Sequence, residues 1–275
     1  MTSVALRLPE PEVASYQLPG FGFSLVSDDQ DIHARVRSAF EMAYGGPGED
    51  LVIEVLSAAN GYRVDTGDGC RLEQSAPIAA DWVIWEATRR ALSTTTYGVA
   101  LHAAAVCVDD RAMLLAGPST VGKSTLTAHL LRQGAAYLSD EAVILRQDGR
   151  VTGFPRSIAL ETRGKLPAPL DRDQPAGSSK EYYAASFFGA PTISTPMRAV
   201  AVCLLSRQAT TADGQPLPIA EVLPGLLPQV FPTGPAEQIL GSLSRLLART
   251  PVFSFQLTDP AGDADRLLQR LRSIR

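Results

Sequence analysis

The spacing of hydrophobic positions in the first third of the chain predicts both strands and helices. "FGFSLVS" and "DLVIEVLS" have the alternating or continuous apolar pattern of strands. "IHARVRSAFEMAY" has helical spacing and is followed by Gly-Gly-Pro, which is a strong stop signal. A second helical pattern, "APIAADWVIWEATRRALSTTTYG", covers residues 76–98. Residues 1–95 are therefore predicted to form a small mixed α+β segment, with a role in substrate or partner binding.

The second helical pattern carries both tryptophans of the chain. Ile78, Trp82, Trp85 and Leu92 share one predicted helix face. Two tryptophans so close together would suit an aromatic ligand site. Their helical spacing favours packing in the core or at an interface instead.

The middle of the chain reads as a β-hairpin followed by a helix. "GVALHAAAVCVDDRAMLLAG" predicts a strand, a turn at Asp109 and Asp110, and a second strand that runs into a glycine. A helix is expected over residues 123–132, closed by Gly134. Short strands are then predicted up to Ser139 and over residues 142–145.

Strand and helix patterns continue to the end of the chain. "MRAVAVCLLS" and "VFSFQLT" predict strands, and "AEVLPGLLPQVF", "PAEQILGSLSRLLART" and "ADRLLQRLRSI" predict helices. The stretch 155–196 is rich in proline, glycine and serine and is predicted to be a surface loop or a lid, with Lys180 inside it. This alternation predicts an α/β fold, with residues 96–275 as the larger domain.

Composition narrows the class of protein. The chain has 275 residues, of which 45% are apolar and 20% charged, so a sizeable core is expected. A net charge of −4 argues against nucleic acid as a partner. Three widely spaced cysteines without a C-x-x-C pair argue against a zinc or disulfide framework. No signal-peptide pattern or long apolar run is present, so we expect a cytoplasmic protein without a membrane partner.

The most specific motif in the chain is "GPSTVGKS" at residues 117–124. It matches the phosphate-binding pattern G-x-x-x-x-G-K-[ST] at every fixed position, after an apolar strand and before a helix. The glycines let backbone N–H groups point inward at phosphate oxygens, the lysine reaches the terminal phosphates, and the serine hydroxyl binds Mg²⁺. ATP is favoured over GTP because no N-K-x-D motif is present. The expected nucleotide-binding residues are Gly117, Pro118, Ser119, Thr120, Val121, Gly122, Lys123, Ser124 and Thr125.

Asp140 and Glu141 follow this motif at a spacing that predicts their position in the fold. A helix of about 11 residues descends roughly 16 Å. A strand of about five residues climbs roughly 16 Å back. Asp140 and Glu141 are therefore expected at the level of the phosphate loop, where Asp140 can bind Mg²⁺ or accept a proton from an attacking hydroxyl. His102, on the strand before the loop, becomes a candidate to orient that carboxylate.

These features together resemble the HPr kinase/phosphorylase family, and in particular its shorter HPr-kinase-like relatives. The resemblance covers about residues 98–164 and is carried by "LHAAAV", "GPSTVGKST", "RQGAAYLSDEAVIL" and "ALETRG". It implies a P-loop kinase core with a mixed sheet, like the C-terminal domain of that family. It also implies that Lys123 binds the transferred phosphate, Asp140 accepts the proton, His102 assists it, and Arg163 stabilises the transferred charge. The expected Mg²⁺ ligands are Ser124, Asp140, Glu141 and Glu161.

The chain also departs from that family. Glu141 stands where the family usually has a second aspartate, and "KLPAP" follows "ETRG" in place of a glycine-rich continuation. No segment matches the family's C-terminal phosphorylase region. The resemblance therefore implies a kinase that uses ATP and Mg²⁺ to phosphorylate a hydroxyl of a peptide or a small molecule, and it makes a homo-oligomer plausible. The alternative is a nucleotide-binding regulator or slow ATPase that switches a partner, with Asp140 activating water.

Overall fold

The computed structural model describes residues 10–96, 98–161, 180–208, 215–232 and 234–274. These residues form two compact units. The first contains the described residues up to Ala91, and the second contains those from Leu92 onward. In the part of the chain that the structure describes, no helix combines the length and the apolar character needed to cross a bilayer.

The first unit is built on a five-stranded sheet in which the strands lie in chain order. The strands are β1 (Glu12–Leu18), β2 (Phe21–Ser27), β3 (Leu51–Ala58), β4 (Gly61–Asp65) and β5 (Cys70–Glu73). Only β2 and β3 are parallel, and the chain between them includes helix α1 (Gln30–Ala39). Helix α2 (Ala76–Ser93) follows β5. The sheet therefore ends at β5, which pairs with β4 alone among the described strands.

An aromatic cluster fills the core of the first unit. Tyr16 and Phe23, paired across β1 and β2, stack with their ring centroids 4.7 Å apart, and Phe40 meets both rings edge-on. Aromatic pairs across an antiparallel ladder stabilise a sheet by up to about 1 kcal/mol each. Asp29 caps α1 by accepting the N–H groups of Asp31 and the next residue, so the helix begins directly after β2.

The second unit has a central five-stranded mixed sheet in the order β15-β14-β8-β7-β9. Its strands are β7 (Ala103–Val108), β8 (Arg111–Ala116), β9 (Ala136–Ser139), β14 (Arg198–Ser206) and β15 (Val252–Gln256). The neighbours β8, β14 and β15 are mutually parallel, whereas β7 is antiparallel to both β8 and β9. Strands β8 and β9 consequently run in the same direction and end at the same edge of the sheet.

Among the described residues, two smaller sheets and four helices complete the second unit. A three-stranded sheet contains β6 (Gly98–Leu101), β10 (Val143–Arg146) and β11 (Val151–Gly153), and a hairpin contains β12 (Ile158–Glu161) and β13 (Lys180–Tyr183). The helices are α3 (Lys123–Arg132), α4 (Ile219–Leu226), α5 (Ala236–Leu247) and α6 (Pro260–Ser273). Single 3₁₀ turns lie at Glu41–Ala43, Ala185–Phe188 and Leu227–Gln229.

Apolar residues cover both faces of the central sheet. On one face, side chains of α3 and α6 pack against alternate residues of β7, β8 and β14. On the other face, α4, α5, β6 and β10 supply the packing partners. This arrangement is a layered α/β fold, as the alternation of strand and helix patterns predicts.

Most of the predicted elements are present. The helix expected over residues 123–132 is α3, with the same bounds. The hairpin strand before Asp109, however, is divided at His102 into β6 and β7, which belong to different sheets. The N–H of His102 donates to the carbonyl of Gln229 at 2.6 Å instead of to a strand of either sheet. A uniform apolar run cannot reveal such a change of sheet, because both halves are buried.

Strands β1, β4, β5 and β11 have no counterpart among the predicted strands, because their polar residues weaken the alternating hydrophobic signal. Packing in the core is contradicted for Ile78 and Trp85, whose side chains are exposed, and confirmed for Leu92, which is buried, whereas packing at an interface stays a prediction. The predicted loop or lid contains the hairpin β12–β13, and the remainder of that prediction, residues 162–179, lies outside the described residues.

Candidate functional site

A glycine-rich loop joins β8 to α3 at the edge where β8 and β9 end. Gly122 is the N-cap of α3 and has a φ of 118°, in the region that favours glycine. A Cβ on Gly117 would lie 2.9 Å from the carbonyl oxygen of Leu205, closer than real side chains approach a backbone. Thr120 also has a positive φ, of 64°. The loop therefore turns tightly, and it presents the N-terminal end of α3 to the edge of the sheet.

Lys123, the first residue of α3, lies against this loop. Its side chain is buried, and its Nζ donates to the carbonyls of Gly117 at 2.8 Å and Pro118 at 3.1 Å. Burial lowers the pKa of Lys123, while the nearby carboxylates of Asp140 and Glu141 oppose that shift. The loop thus contains a positive charge that is held by backbone oxygens and is little hydrated.

Strand β9 returns the chain to the level of the loop. Ser139 pairs with Ala105 of β7, and Ala105 pairs with Leu114 of β8, so the last residue of β9 lies two strands away from the end of β8. Asp140 follows immediately. The geometric expectation from the lengths of the helix and strand agrees with this register.

Asp140 is a buried carboxylic acid with one unpartnered oxygen. Its Oδ2 accepts the N–H of Ala159 at 3.2 Å, and its Oδ1 has no hydrogen-bond partner among the described residues. Burial raises the pKa of Asp140 to about 6, although the nearby Ser124 hydroxyl and the N–H of Ala159 oppose the shift. A carboxylate in this state is a stronger base than an exposed aspartate.

Glu141, the next residue, is engaged by two neighbours. Arg156 Nη1 lies 2.8 Å from Glu141 Oε2. His102 Nδ1 is 2.9 Å from the backbone carbonyl oxygen of Glu141 and 3.8 Å from its Oε1. Desolvation alone would raise the pKa of Glu141, but Arg156, His102, Lys180 and Lys123 together lower it by more. Burial also lowers the pKa of His102, so a neutral imidazole beside an ionised glutamate is expected at pH 7.

The two neighbouring carboxylates therefore differ in their electrostatic state. The carboxylate of Glu141 is neutralised by a guanidinium, whereas that of Asp140 is desolvated and has one free oxygen. Divergent pKa values of adjacent groups are typical of sites where one group exchanges a proton and the other stays charged.

Arg207 is a cation at the loop that the sequence analysis did not select. It follows β14, which is parallel to β8 and ends at the same edge, with Leu204 opposite Ala116. Its Nε donates to the carbonyl of Val121 at 3.0 Å. A basic residue after an apolar strand is a common pattern, and only the parallel pairing of β14 with β8 places this one beside the loop.

The remaining predicted site residues lie apart or outside the described ranges. Glu161 ends β12, is exposed, and pairs in register with Lys180 of β13. Arg163 lies outside the described residues. Within the described ranges, no three His, Cys, Asp or Glu side chains are grouped to hold a metal ion. The oxygen atoms that do converge at the loop are those of Ser124 and Asp140.

Comparison with known proteins finds little. No protein-family model matches the chain, and no curated protein matches it. Among solved structures, the HPr(Ser) kinase/phosphatase from Coxiella burnetii matches 63% of this chain and 95% of its own, with 17% sequence identity and a TM-score of 0.36. A likeness of this degree is distant, and it does not bear on individual residues of the site.

Proposed function

We propose that the chain is a phosphotransferase that uses ATP to phosphorylate a hydroxyl group. The observation that carries the proposal is Asp140, a buried carboxylate with one unpartnered oxygen and a pKa raised to about 6, beside the first turn of α3. The glycine-rich loop in front of that helix has the sequence of a triphosphate cradle. A base at the mouth of such a cradle suits an alcohol as the nucleophile.

The loop and the helix would hold the triphosphate. Backbone N–H groups at residues 117–124 and the N-terminal end of α3 favour anions. Lys123 would exchange its contacts with the carbonyls of Gly117 and Pro118 for phosphate oxygens, because a charge-assisted bond to phosphate is stronger than one to a neutral carbonyl. Arg207 would add positive charge at the same edge.

The residues present also fit a magnesium ion. Ser124 Oγ and the unpartnered Asp140 Oδ1 are hard oxygen donors at the level of the loop, and Mg²⁺ binds proteins through one or two such groups together with substrate phosphates. When bound, Mg²⁺ would neutralise charge on the terminal phosphates. Glu141 is a poorer candidate ligand, because Arg156 already occupies its Oε2.

Where Mg²⁺ is held by Ser124 and the phosphates, Asp140 Oδ1 would instead accept the proton of the acceptor hydroxyl. As the O–H bond breaks, the hydroxyl oxygen forms a bond to the γ-phosphorus of ATP. The bond between that phosphorus and the bridging oxygen breaks, and ADP leaves. A pKa of about 6 keeps most of Asp140 ionised at pH 7 while making it more basic than an exposed aspartate. The pair of Arg156 and Glu141 would hold His102 and the start of β10 in place.

The proposed acceptor is a hydroxyl group of a peptide or of a small molecule. A serine of a peptide and a small-molecule alcohol both suit a carboxylate base, and the resemblance noted in the sequence implies the same two classes. ATP is proposed as the donor because the chain has no guanine-reading N-K-x-D motif.

A transfer assay with γ-³²P-labelled ATP tests the proposal. Purified wild-type protein is incubated with labelled ATP, Mg²⁺ and a panel of serine peptides and small alcohols, and labelled acceptors are separated from inorganic phosphate. We expect the wild type to label at least one acceptor, and the Asp140→Asn variant to bind ATP but to lose transfer by about 100-fold or more. The matched control, Glu141→Gln, changes the neighbouring carboxylate and should lose less.

The two alternatives give different products. Release of inorganic phosphate without any labelled acceptor, unaffected by the panel, would contradict the kinase assignment and favour a slow ATPase or regulator. Full transfer by Asp140→Asn would contradict the assignment of the base. Failure of the wild type to bind ATP would contradict both functions.

A further inference from the structure

A groove in the first unit has no role in the proposed chemistry. It has a volume of about 430 Å³ and lies between the start of β5 and helix α2. We call it the β5–α2 groove, and it is lined by the β4–β5 turn, by Cys70 and Arg71 of β5, and by one face of α2. The lining residues on α2 are Trp82, Trp85, Glu86 and Arg89.

The strand that borders this groove has outward-facing main-chain groups. The N–H of Thr66 donates to the carbonyl of Gly69 at 3.1 Å, which makes these two residues a hydrogen-bonded pair of the β4–β5 ladder. Bonded and non-bonded pairs alternate in an antiparallel ladder. The register then directs the N–H and C=O groups of Cys70 and Leu72 away from β4. No strand among the described residues pairs with that edge.

The wall of the groove combines aromatic rings with guanidinium groups. Trp82 and Trp85 meet edge-to-face, with their ring centroids 5.1 Å apart. Arg71 lies over the ring of Trp82 at 3.4 Å, and Arg89 lies 5.6 Å from the ring centroid of Trp85. The Trp85 side chain is 52% exposed. An arginine stacked as Arg71 is on Trp82 is held flat and keeps its N–H edge available for a carboxylate.

The charges in the groove leave Arg71 as the cation best placed for a ligand. Glu86 accepts hydrogen bonds from both Arg89 and Arg90, and Asp68 pairs with Arg90. These acidic groups are already neutralised by cations of α2. The carboxylate of Glu73 is 3.8 Å from Arg71 Nε, longer than a hydrogen bond. A carboxylate on a ligand would therefore complement Arg71 more closely than its present neighbour does.

We propose that the β5–α2 groove binds an extended acidic peptide segment, which pairs with β5 as a sixth strand. Main-chain hydrogen bonds to Cys70 and Leu72 would give affinity, and side chains that point into the groove would give specificity. Alternate residues of a strand share a face. A peptide that places a carboxylate on Arg71 and an apolar side chain on Trp85 therefore needs an acidic and an apolar residue two positions apart. Because the proposal depends only on the first unit, it stands or fails independently of the kinase assignment.

The two tryptophans make the test direct. They are the only tryptophans in the chain, so intrinsic fluorescence reports on this groove without labelling. An array of random octapeptides is probed with the full-length protein, and the best binders are synthesised and titrated. We expect binders enriched in Asp or Glu two positions from Leu, Ile or Phe, with a saturable change in tryptophan fluorescence. Binding should persist in the Lys123→Met variant, which alters the phosphate loop.

Matched variants distinguish pairing of the peptide with β5 from nonspecific binding in the groove. Leu72→Pro removes an outward N–H without removing a bond of the β4–β5 ladder, whereas Leu72→Ala keeps that N–H. We expect Leu72→Pro to weaken the dissociation constant at least tenfold and Leu72→Ala to weaken it less. Arg71→Ala should weaken acidic peptides at least tenfold and leave their Gln-substituted counterparts unchanged. If Leu72→Pro does not fold, peptides N-methylated at alternate residues are titrated into the wild-type protein. They also test whether main-chain hydrogen bonds contribute to binding.

Cys70 provides a second, independent readout. It is exposed, whereas Cys107 and Cys203 are buried. Bound peptide should slow the reaction of Cys70 with 5,5′-dithiobis(2-nitrobenzoic acid) at least fivefold. The proposal would be overturned if no peptide bound with a dissociation constant below about 1 mM. Binding without protection of Cys70, or equal binding by Leu72→Pro and Leu72→Ala, would overturn it as well.

Discussion

The glycine-rich loop of the second unit and the β5–α2 groove of the first unit both gather charged side chains, but they expose them differently. Lys123 and Asp140 are 6% and 5% exposed. The side chains of Arg71 and Arg89 are 42% and 47% exposed. Burial shifts the pKa of both members of the first pair, because desolvation disfavours the ionised form where water is excluded, whereas the groove arginines are half-exposed. The two proposed roles, proton transfer at the loop and peptide recognition in the groove, would require this difference.

The difference also sets how much each charge affects stability and activity. A buried charge that loses its partner keeps its desolvation cost, so changes at the loop should have large effects. A half-exposed charge is rehydrated when its partner is removed, so changes in the groove should affect binding more than folding. Four measurements test this contrast, in order of expected size.

The largest effect is expected for Lys123→Met, which removes the charge but keeps most of the apolar stem. Phosphate transfer should fall by roughly 100- to 1,000-fold, because one donor aimed at the transferred charge is lost. The same substitution should not lower the melting temperature, since burial of the ammonium group opposes folding. The labelled-ATP assay and a thermal melt measure the two quantities. Activity within threefold of the wild type would contradict the assignment.

A second large effect is expected for Arg156→Met, which leaves Glu141 without its guanidinium. The free energy of unfolding should fall by about 2 to 4 kcal/mol, as for other largely buried ion pairs that lose one partner. The control is the double variant Arg156→Met/Glu141→Gln, which removes both charges and should recover at least half of the loss. Urea denaturation followed by circular dichroism measures both. Equal stability of the single and double variants would contradict the pairing.

The third test uses the pH dependence of stability at Asp140. Its pKa rises from 3.8 to about 6 on folding, so the folded state prefers the protonated acid. Its stability contribution is full below pH 3.8 and is lost as the pH rises through 6, which amounts to about 3 kcal/mol at about 1.4 kcal/mol per pKa unit. Asp140→Asn should therefore be more stable than the wild type at pH 8 and nearly equal to it at pH 4. A pH-independent difference would contradict the raised pKa.

The smallest effect on stability is expected in the groove. Trp85→Ala should lower the free energy of unfolding by less than about 1 kcal/mol, because half of the side chain is already in water. Peptide binding should nevertheless weaken at least tenfold. Denaturation and a competition titration measure these effects. A loss of several kcal/mol would show that Trp85 belongs to a core, and the contrast between the two regions would then fail.

Local patterns in the sequence account for much of the phosphate loop. The conformation of residues 117–124 depends on their own backbone freedom and on the helix that follows. The loop and the bounds of α3 can therefore be predicted from residues that are neighbours in the sequence. The same holds for the return to Asp140, because the lengths of a short helix and a short strand place it.

Residues joined across the fold were harder to predict. Arg156 meets Glu141 only because β10 and the chain after β11 converge, and Arg207 reaches Val121 only because β14 lies beside β8. The division of the first hairpin strand at His102 has the same origin, since neither half differs in hydrophobicity. Trp82 and Trp85 have the spacing of a core helix face, yet they border the exposed edge formed by β5.

The periodicity of the elements, the glycine-rich loop and the distance from that loop to the acidic pair follow from the order of residues, because sterics and hydrophobic spacing act over a few residues. Which strands are neighbours, which of the two carboxylates is neutralised by an arginine, and which helix face remains in water follow only from the folded structure. Those outcomes depend on burial and on pairs distant in the chain, and a desolvated charge has its unusual pKa only after the whole fold has excluded water from it.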